Sequence, residues 1–168
     1  MKYLIVVDMQ VDFITGALGS KDAEAIVPRV VEIVKGFNGR VIFTRDTHGE
    51  DYLSTREGRH LPVAHCVRGT AGHEICPELR PYAECVIDKE TFGSVDLSDV
   101  IRGYGEEIEE IMLLGLCTDI CVISNAMLLK AEFPETDITV VSSASAGVTP
   151  ESHETALAAM RAVQINII

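Results

Sequence analysis

The chain has 168 residues, a formal net charge of -12 and a hydrophobic fraction of 47%. Such a length is expected to form one domain over residues 1–168 that buries most of its apolar surface, and the apolar content excludes a disordered chain. The acidic balance argues against nucleic acid or an anionic membrane surface as partner, since both need basic patches.

No apolar stretch approaches the roughly 20 residues of a membrane span. Met1 to Leu4 lead into a short apolar run that ends at Asp8, so no signal peptide is expected. Five cysteines, Cys66, Cys76, Cys85, Cys117 and Cys121, are odd in number and form no C-x-x-C pair. Reduced thiols in a cytoplasm are expected from that usage, and a thiolate zinc cluster is not.

In chain order, the first apolar run is Tyr3 to Val7, closed by Asp8. Gly16-Ala17-Leu18-Gly19 reads as a tight turn that lets backbone approach a ligand, though two glycines do not make a phosphate loop. Val27 to Phe37 reads as a helix with Val30, Ile33, Val34 and Phe37 on one face. A strand over Val41 to Thr44 precedes the long segment Asp46 to Arg80, which has no clean periodicity but holds His48, His60, His65 and His73. Segments of that kind are commonly functional. Further strands are expected over Cys85 to Ile87, Ile111 to Leu116, Ile138 to Val141 and Val163 to Ile167. Helices are expected over Leu97 to Tyr104, Asp119 to Phe133 and Pro150 to Arg161, the last with Thr149 as N-cap and Pro150 at the first helical position. Six near-continuous apolar strands alternating with helices imply an α/β fold, a three-layer α-β-α arrangement around a mainly parallel sheet.

In such sheets ligands bind beyond the carboxyl ends of the strands. Asp8, Asp46, Lys89 and Cys121 each lie at or just after a strand end. Cys121 falls in the first turn of the helix after Leu116, where unpaired N–H groups and the helix dipole favour a thiolate and can support an oxyanion. By itself that position is equally compatible with a small buried hydrophobe. Asp8 is a candidate acceptor for a thiol proton, or a turn-capping carboxylate. Lys89 is a candidate to hold Asp8 ionised or to polarise a carbonyl, or a surface lysine. Asp46, His48 and His65 have the ligand types of an open catalytic metal site, with Asp46 and His48 on one side of an extended chain. Glu57 is a candidate fourth ligand, whereas His60 and His73 read as exposed loop residues. Phe13 and Phe92, each a few residues beyond a candidate catalytic group, are candidate pocket walls.

Asp8 to Phe13 (DMQVDF), Gly16 to Leu18, Arg45 to His48 (RDTH), Pro62 to Thr70 (PVAHCVRGT), Lys89 and Thr118 to Val122 (TDICV) together resemble the isochorismatase-like cysteine hydrolases, and within them the nicotinamidases. The likeness spans nearly the whole chain. It implies a six-stranded sheet, a triad of Asp8, Lys89 and Cys121, and one divalent metal, usually zinc, iron or manganese, on Asp46, His48 and His65. Glu57 falls where some nicotinamidases place an acidic ligand. The likeness further implies a cis peptide at Leu116-Cys117 and an oxyanion hole made by the N–H groups of Cys117 and Cys121.

The implied activity is hydrolysis of nicotinamide to nicotinate and ammonia, a step in NAD salvage, through a thioester on Cys121. Family members act on small molecules, often as homo-oligomers, and some cleave ureides or N-carbamoyl compounds instead. A non-catalytic metal-binding member of the same fold is a third reading. The chain departs from the nicotinamidase pattern at one wall: Leu61-Pro62 stands where a Trp-Pro pair is frequent, one extra residue separates Pro62 from His65, and there is no tryptophan. Leu18, Leu61, Phe13 and Phe92 are then the residues expected to line the substrate pocket.

Overall fold

The computed structural model describes all 168 residues. Strands β1 (Lys2–Val7), β2 (Arg40–Asp46), β3 (Val86–Lys89), β4 (Glu110–Leu116), β5 (Asp137–Ala146) and β6 (Asn166–Ile167) form one sheet in the order β3-β2-β1-β4-β5-β6. Every pairing is parallel. Helices α1 (Val11–Ile14), α2 (Lys21–Gly36), α3 (Arg56–His60), α4 (Leu97–Gly103), α5 (Ile123–Glu132) and α6 (Pro150–Ala162) alternate with the strands.

Side-chain alternation along the strands builds a core on each face. Tyr3, Ile5 and Val7 of β1, with Ile111 and Leu113 of β4, meet α4, α5 and α6 through Leu97, Ile101, Ala126, Leu129, Leu157 and Met160. Leu4, Val6, Leu114 and Leu116 point the other way, onto Ala23, Val30 and Val34 of α2. Layers therefore lie as helices, sheet, helices, and strands buried on both sides explain the uninterrupted apolar runs. Each fully buried aliphatic side chain contributes about 1.5–3 kcal/mol, so Leu113→Ala is expected to remove about 2–5 kcal/mol of stability.

Several elements differ from expectation for identifiable reasons. The helix α2 begins at Lys21 rather than Val27 and carries Pro28 in its interior. Ser20 caps it by accepting from the Ala23 N–H, and the buried Ala23, Val30 and Val34 hold it against the sheet, so packing overrides the proline's tendency to mark a start. Strand β2 runs on to Asp46, because polar Arg45 and Asp46 pair in register with Asp88 and Lys89 of β3. Strand β6 is only Asn166–Ile167, since Val163 ends α6 and Gln164 takes a left-handed turn (φ 66°). The aperiodic segment contains α3 and three-residue turns of 3₁₀ helix at Tyr52–Ser54, Ala71–His73 and Arg80–Tyr82. Thr149 does cap α6, in a reciprocal capping box with Ser152.

Chain order reverses direction across the sheet between β1 and β4, which opens a crevice at their carboxyl ends. Gly115 shapes that crevice: it has φ 117°, and a Cβ there would collide with the Val7 carbonyl oxygen of the neighbouring strand. The register between β4 and β5 shifts at the same point. A side chain at 115 would force the two strand ends apart where the site is built.

Candidate active site

Asp8 leaves β1 in a left-handed conformation (φ 47°) that turns its carboxylate back over the sheet edge. Thr44 of β2 holds it there, donating its hydroxyl to Asp8 Oδ1 at 2.7 Å and accepting the Asp8 N–H at 3.3 Å. Lys89, the last residue of β3, crosses this edge. Its Nζ lies 2.7 Å from Asp8 Oδ2 and 3.3 Å from Asp46 Oδ1, and donates to the Thr91 carbonyl at 3.2 Å and the Cys121 sulfur at 3.4 Å. Asp8, Lys89 and Cys121 are no more than 4% exposed. Cys121 sits in a π-helical turn, Thr118–Val122, that leads into α5, and the Leu116-Cys117 peptide is cis.

Burial dominates the electrostatics. It pushes the Cys121 thiol well up, Asp8 adds to the rise, and Lys89 opposes it without prevailing. The helix terminus favours a thiolate, but water exclusion and a neighbouring carboxylate act against it and raise the thiol's proton affinity. Asp8 is itself raised, by burial first, with Lys89 pulling the other way. Lys89 rises because Asp8, the thiol and Asp46 outweigh its own desolvation. The pair is best described as a firm ammonium beside a carboxylate of raised proton affinity. Asp8 Oδ2 is close to Lys89 but not well aligned for a hydrogen bond to it, which leaves a lone pair available to a thiol proton.

Asp46, His48, His65 and Glu57 each direct one ligand atom into a common space, all within 4.8 Å of one another. His48 Nε2 lies 2.8 Å and His65 Nε2 3.5 Å from Asp46 Oδ2, while Glu57 Oε1 is 3.6 Å and 3.8 Å from the same two nitrogens. His65 Nδ1 is 2.8 Å from the Val63 carbonyl oxygen, which assigns the ring proton to Nδ1 and turns the Nε2 lone pair inward. Two imidazole nitrogens and two carboxylates directed into one space are the donor types of a divalent-ion site, and the crowded carboxylates need a cation or protons between them, so this set fits a divalent ion. Without an ion a proton serves: His65 is raised because its bonds to Asp46 and Val63 outweigh burial. Burial likewise opposes ionisation of Asp46, yet hydrogen bonds to His48 and His65, with Lys89, hold it well below the usual carboxylate range.

Polar residues that periodicity does not single out place these groups. Gln10, fully buried, accepts the Asp46 N–H through Oε1 at 2.7 Å and donates Nε2 to the Asp46 carbonyl at 2.8 Å and the His73 carbonyl at 2.9 Å. Asp12 accepts the Cys66 N–H at 2.8 Å and so anchors the left-handed turn (φ 46°) after His65. Gly16 and Gly72 leave the space that the Asp12 carboxylate fills, so Gly16 serves Asp12 and not a ligand. Of that turn only Leu18 reaches the pocket. Tyr52 packs its ring on His48 and His65 at centroid distances of 4.6 and 4.9 Å. One sequence signal could have pointed to Gln10: a glutamine three residues beyond the end of β1, between the apolar Met9 and Val11.

His73 corrects an expectation. It is buried rather than an exposed loop residue, with Nε2 2.8 Å from Thr47 Oγ1, and it stands outside the metal-type group. The 3₁₀ turn folds it beneath the loop, where burial and Arg45 lower its pKa. His60 is exposed.

A cavity of about 260 Å³ connects these groups. Asp46, Glu57 and His65 line one part and Cys117 and Cys121 another, with Phe13, Leu18, Leu61 and Phe92 among its apolar walls. No arginine or lysine lines it.

The Isochorismatase domain model matches residues 2–168. A pyrazinamidase of Pyrococcus horikoshii in complex with zinc is 32% identical, with a TM-score of 0.86 over 99% of this chain and 98% of its own. A nicotinamidase of Bacillus subtilis is 31% identical, with a TM-score of 0.83 over 98% and 97%. A probable inactive nicotinamidase of Arabidopsis thaliana is 27% identical over 89% of this chain and 83% of that protein. The chain belongs to the isochorismatase-like hydrolase family, and its structural neighbours include several of the pyrazinamidase/nicotinamidase type and an N-carbamoylsarcosine amidase of Thermoplasma acidophilum. No helix is long and apolar enough to cross a membrane.

Proposed function

We propose that this protein is a metal-dependent cysteine amidohydrolase whose substrate is nicotinamide, released as nicotinate and ammonia. The observation that carries the reading is the meeting of a buried thiol, a buried ammonium and a buried carboxylate, with Lys89 Nζ 3.4 Å from Cys121 Sγ and 2.7 Å from Asp8 Oδ2, where Cys121 lines a cavity that Asp46, Glu57 and His65 of the metal-type group also line.

Asp8 Oδ2 takes the Cys121 proton as the sulfur attacks the amide carbon. The developing oxyanion is received by the N–H groups of Cys117 and Cys121. Asp8 then gives its proton to the amide nitrogen, the C–N bond breaks, and ammonia leaves a thioester on Cys121. Water attacks the thioester, Asp8 accepts the proton of that water and returns it to the departing sulfur, and the acid is released. Lys89 stays protonated throughout and offsets the charge that moves between Asp8 and Cys121. A divalent ion held by Asp46, His48 and His65, with Glu57 beside them, would supply a Lewis acid toward the substrate's ring nitrogen and toward water. Zinc fits the donor set, as do iron and manganese.

The charge of the lining supports a neutral substrate. N-carbamoyl amino acids and ureido acids carry a carboxylate, and no arginine or lysine lines the cavity to receive one. The cavity, near 260 Å³, is smaller than the roughly 300–1,000 Å³ of drug-sized sites and suits a single ring with a short amide. A second reading, another small uncharged amide, is favoured by one observation: Leu61 occupies the wall where a stacking tryptophan is frequent. A non-catalytic role is disfavoured by the full set Asp8, Lys89 and Cys121.

The test is ammonia release from nicotinamide beside a panel of neutral amides and one N-carbamoyl amino acid, with zinc added. Fast turnover of nicotinamide and none of the carbamoyl acid is expected. Faster turnover of another neutral amide would transfer the assignment to that substrate, and no turnover of any would overturn hydrolysis. Family members often form oligomers, and a homo-oligomer in a cytoplasmic, NAD-salvaging setting completes the proposal.

A further inference from the structure

Asn125 lies outside the triad and the metal-type group, and its side chain is fully buried beside both the nucleophile's turn and the pocket wall. Its Nδ2 donates to the Cys121 carbonyl at 2.8 Å and to the Phe92 carbonyl at 3.3 Å, and its Oδ1 accepts the Ser94 N–H at 2.9 Å. One amide thus ties the backbone of the turn bearing the thiol to both sides of Gly93. Phe92, 45% exposed as a residue, lines the cavity, and the neighbouring Thr91 carbonyl accepts from Lys89 Nζ at 3.2 Å. Gly93 lets this loop lie close on α5, since a Cβ there would press on Leu128 and approach Ser124.

The Phe92 ring has little burial of its own to hold it. Its position is inherited from the backbone at 92–94, and Asn125 accounts for two of that backbone's hydrogen bonds. An amide suits this position because it presents two donors and an acceptor in one plane, so it serves two carbonyls and an N–H without a buried charge. We propose that Asn125 is a positioning residue that sets the distance between the Phe92 wall and the Cys121 thiol, and thereby determines how tightly a flat ring is held against the nucleophile. The substrate part of this inference rests on the amidohydrolase reading; the structural part does not.

The experiment uses the absence of tryptophan from the chain. Phe92→Trp creates a single indole at the wall, whose fluorescence anisotropy and acrylamide quenching report its order. Adding Asn125→Ala in that background is expected to lower the anisotropy and raise quenching at least twofold; unchanged values for both would overturn the inference. In the otherwise unaltered enzyme Asn125→Ala is expected to raise the KM for nicotinamide about fivefold, the scale of one lost hydrogen bond, with kcat changed less. In the Phe92→Ala background the same substitution should change KM by less than about twofold, because coupled residues are non-additive. Equal changes in both backgrounds would mean that Asn125 does not act through Phe92 and would overturn the inference. If Asn125→Ala does not fold, Asn125→Ser, which keeps a short polar group, takes the same measurements with the same decisive outcomes. Absence of turnover on every amide would sink the amidohydrolase reading, while the indole measurement would still decide the role of Asn125.

Discussion

The two ends of the sheet use ion pairs of the same length for different purposes. At the carboxyl end Lys89 and Asp8 lie 2.7 Å apart with side chains 1% and 0% exposed. At the amino end Arg40 and Glu106 also lie 2.7 Å apart, but with side chains 39% and 28% exposed. Arg40 there forms a bidentate pair, at 2.7 and 2.8 Å, and stacks on the Tyr104 ring 3.9 Å from its centroid. Water screens the outer pair and contributes much of the solvation itself, so it is an ordinary surface contact. The inner pair has lost its water and depends on the other charges for its ionisation, which makes each member sensitive to its neighbours. Charge buried at that expense is found where chemistry needs tuned proton affinities.

The largest expected effect tests whether the inner edge works at all. Cys121→Ala should lower amide turnover by at least about a thousandfold while leaving the urea midpoint near the parent value, since a small, fully enclosed side chain is exchanged for a smaller one. Residual turnover near the parent rate would move the nucleophile elsewhere.

Exchanging one cation at each end compares them directly. Lys89→Met leaves two buried carboxylates, Asp8 and Asp46, without their shared ammonium and should lower unfolding free energy by about 3–5 kcal/mol in urea titrations. Arg40→Met should lower it much less, and 1 M salt should reduce that difference further but not the first. Comparable losses at both ends would remove the distinction drawn between them.

Metal linkage gives a smaller effect. Zinc at about one hundred times its dissociation constant should stabilise the chelator-treated protein by about 2.7 kcal/mol, read as a rise in thermal midpoint. His65→Ala should abolish most of that rise, and an undiminished rise would place the ion elsewhere.

The smallest effect concerns the outer edge and acid. Arg40, the main cause, holds Glu106 below its usual range, and Tyr3 assists. A carboxyl depressed in the folded state contributes stability that is present above the ordinary glutamate value of about 4.3 and is lost as pH falls through the folded value. Glu106→Gln should therefore flatten part of the acid decline of the urea midpoint below about pH 4.3. An unaltered decline would show that the pair makes no pH-dependent contribution.

Much of the site was legible because strands announce their ends. Asp8, Asp46, Lys89 and Cys121 each follow an apolar run, and parallel strands with helical crossovers must deliver such residues to one edge. The D-x-H spacing put Asp46 and His48 on one side of the chain, as found. Gln10, Asp12, Thr44, Tyr52 and Asn125 were not legible as supports. Each is a single polar or aromatic side chain whose partners lie far off in sequence or in a loop, and no period marks it. The π-helical turn at Cys121 and the burial of His73 escaped for the same reason.

The sequence by itself determined the layers and the direction of the strands, because alternation, apolar runs and caps act over a few residues and repeat, and the family through the order of short motifs such as DMQVDF, RDTH and TDICV. Tertiary structure alone decided the raised proton affinity of Cys121, the enclosure of His73 and the fastening of Phe92 by Asn125. Those properties depend on desolvation and on hydrogen bonds between distant segments, and neither exists until the chain has closed around them.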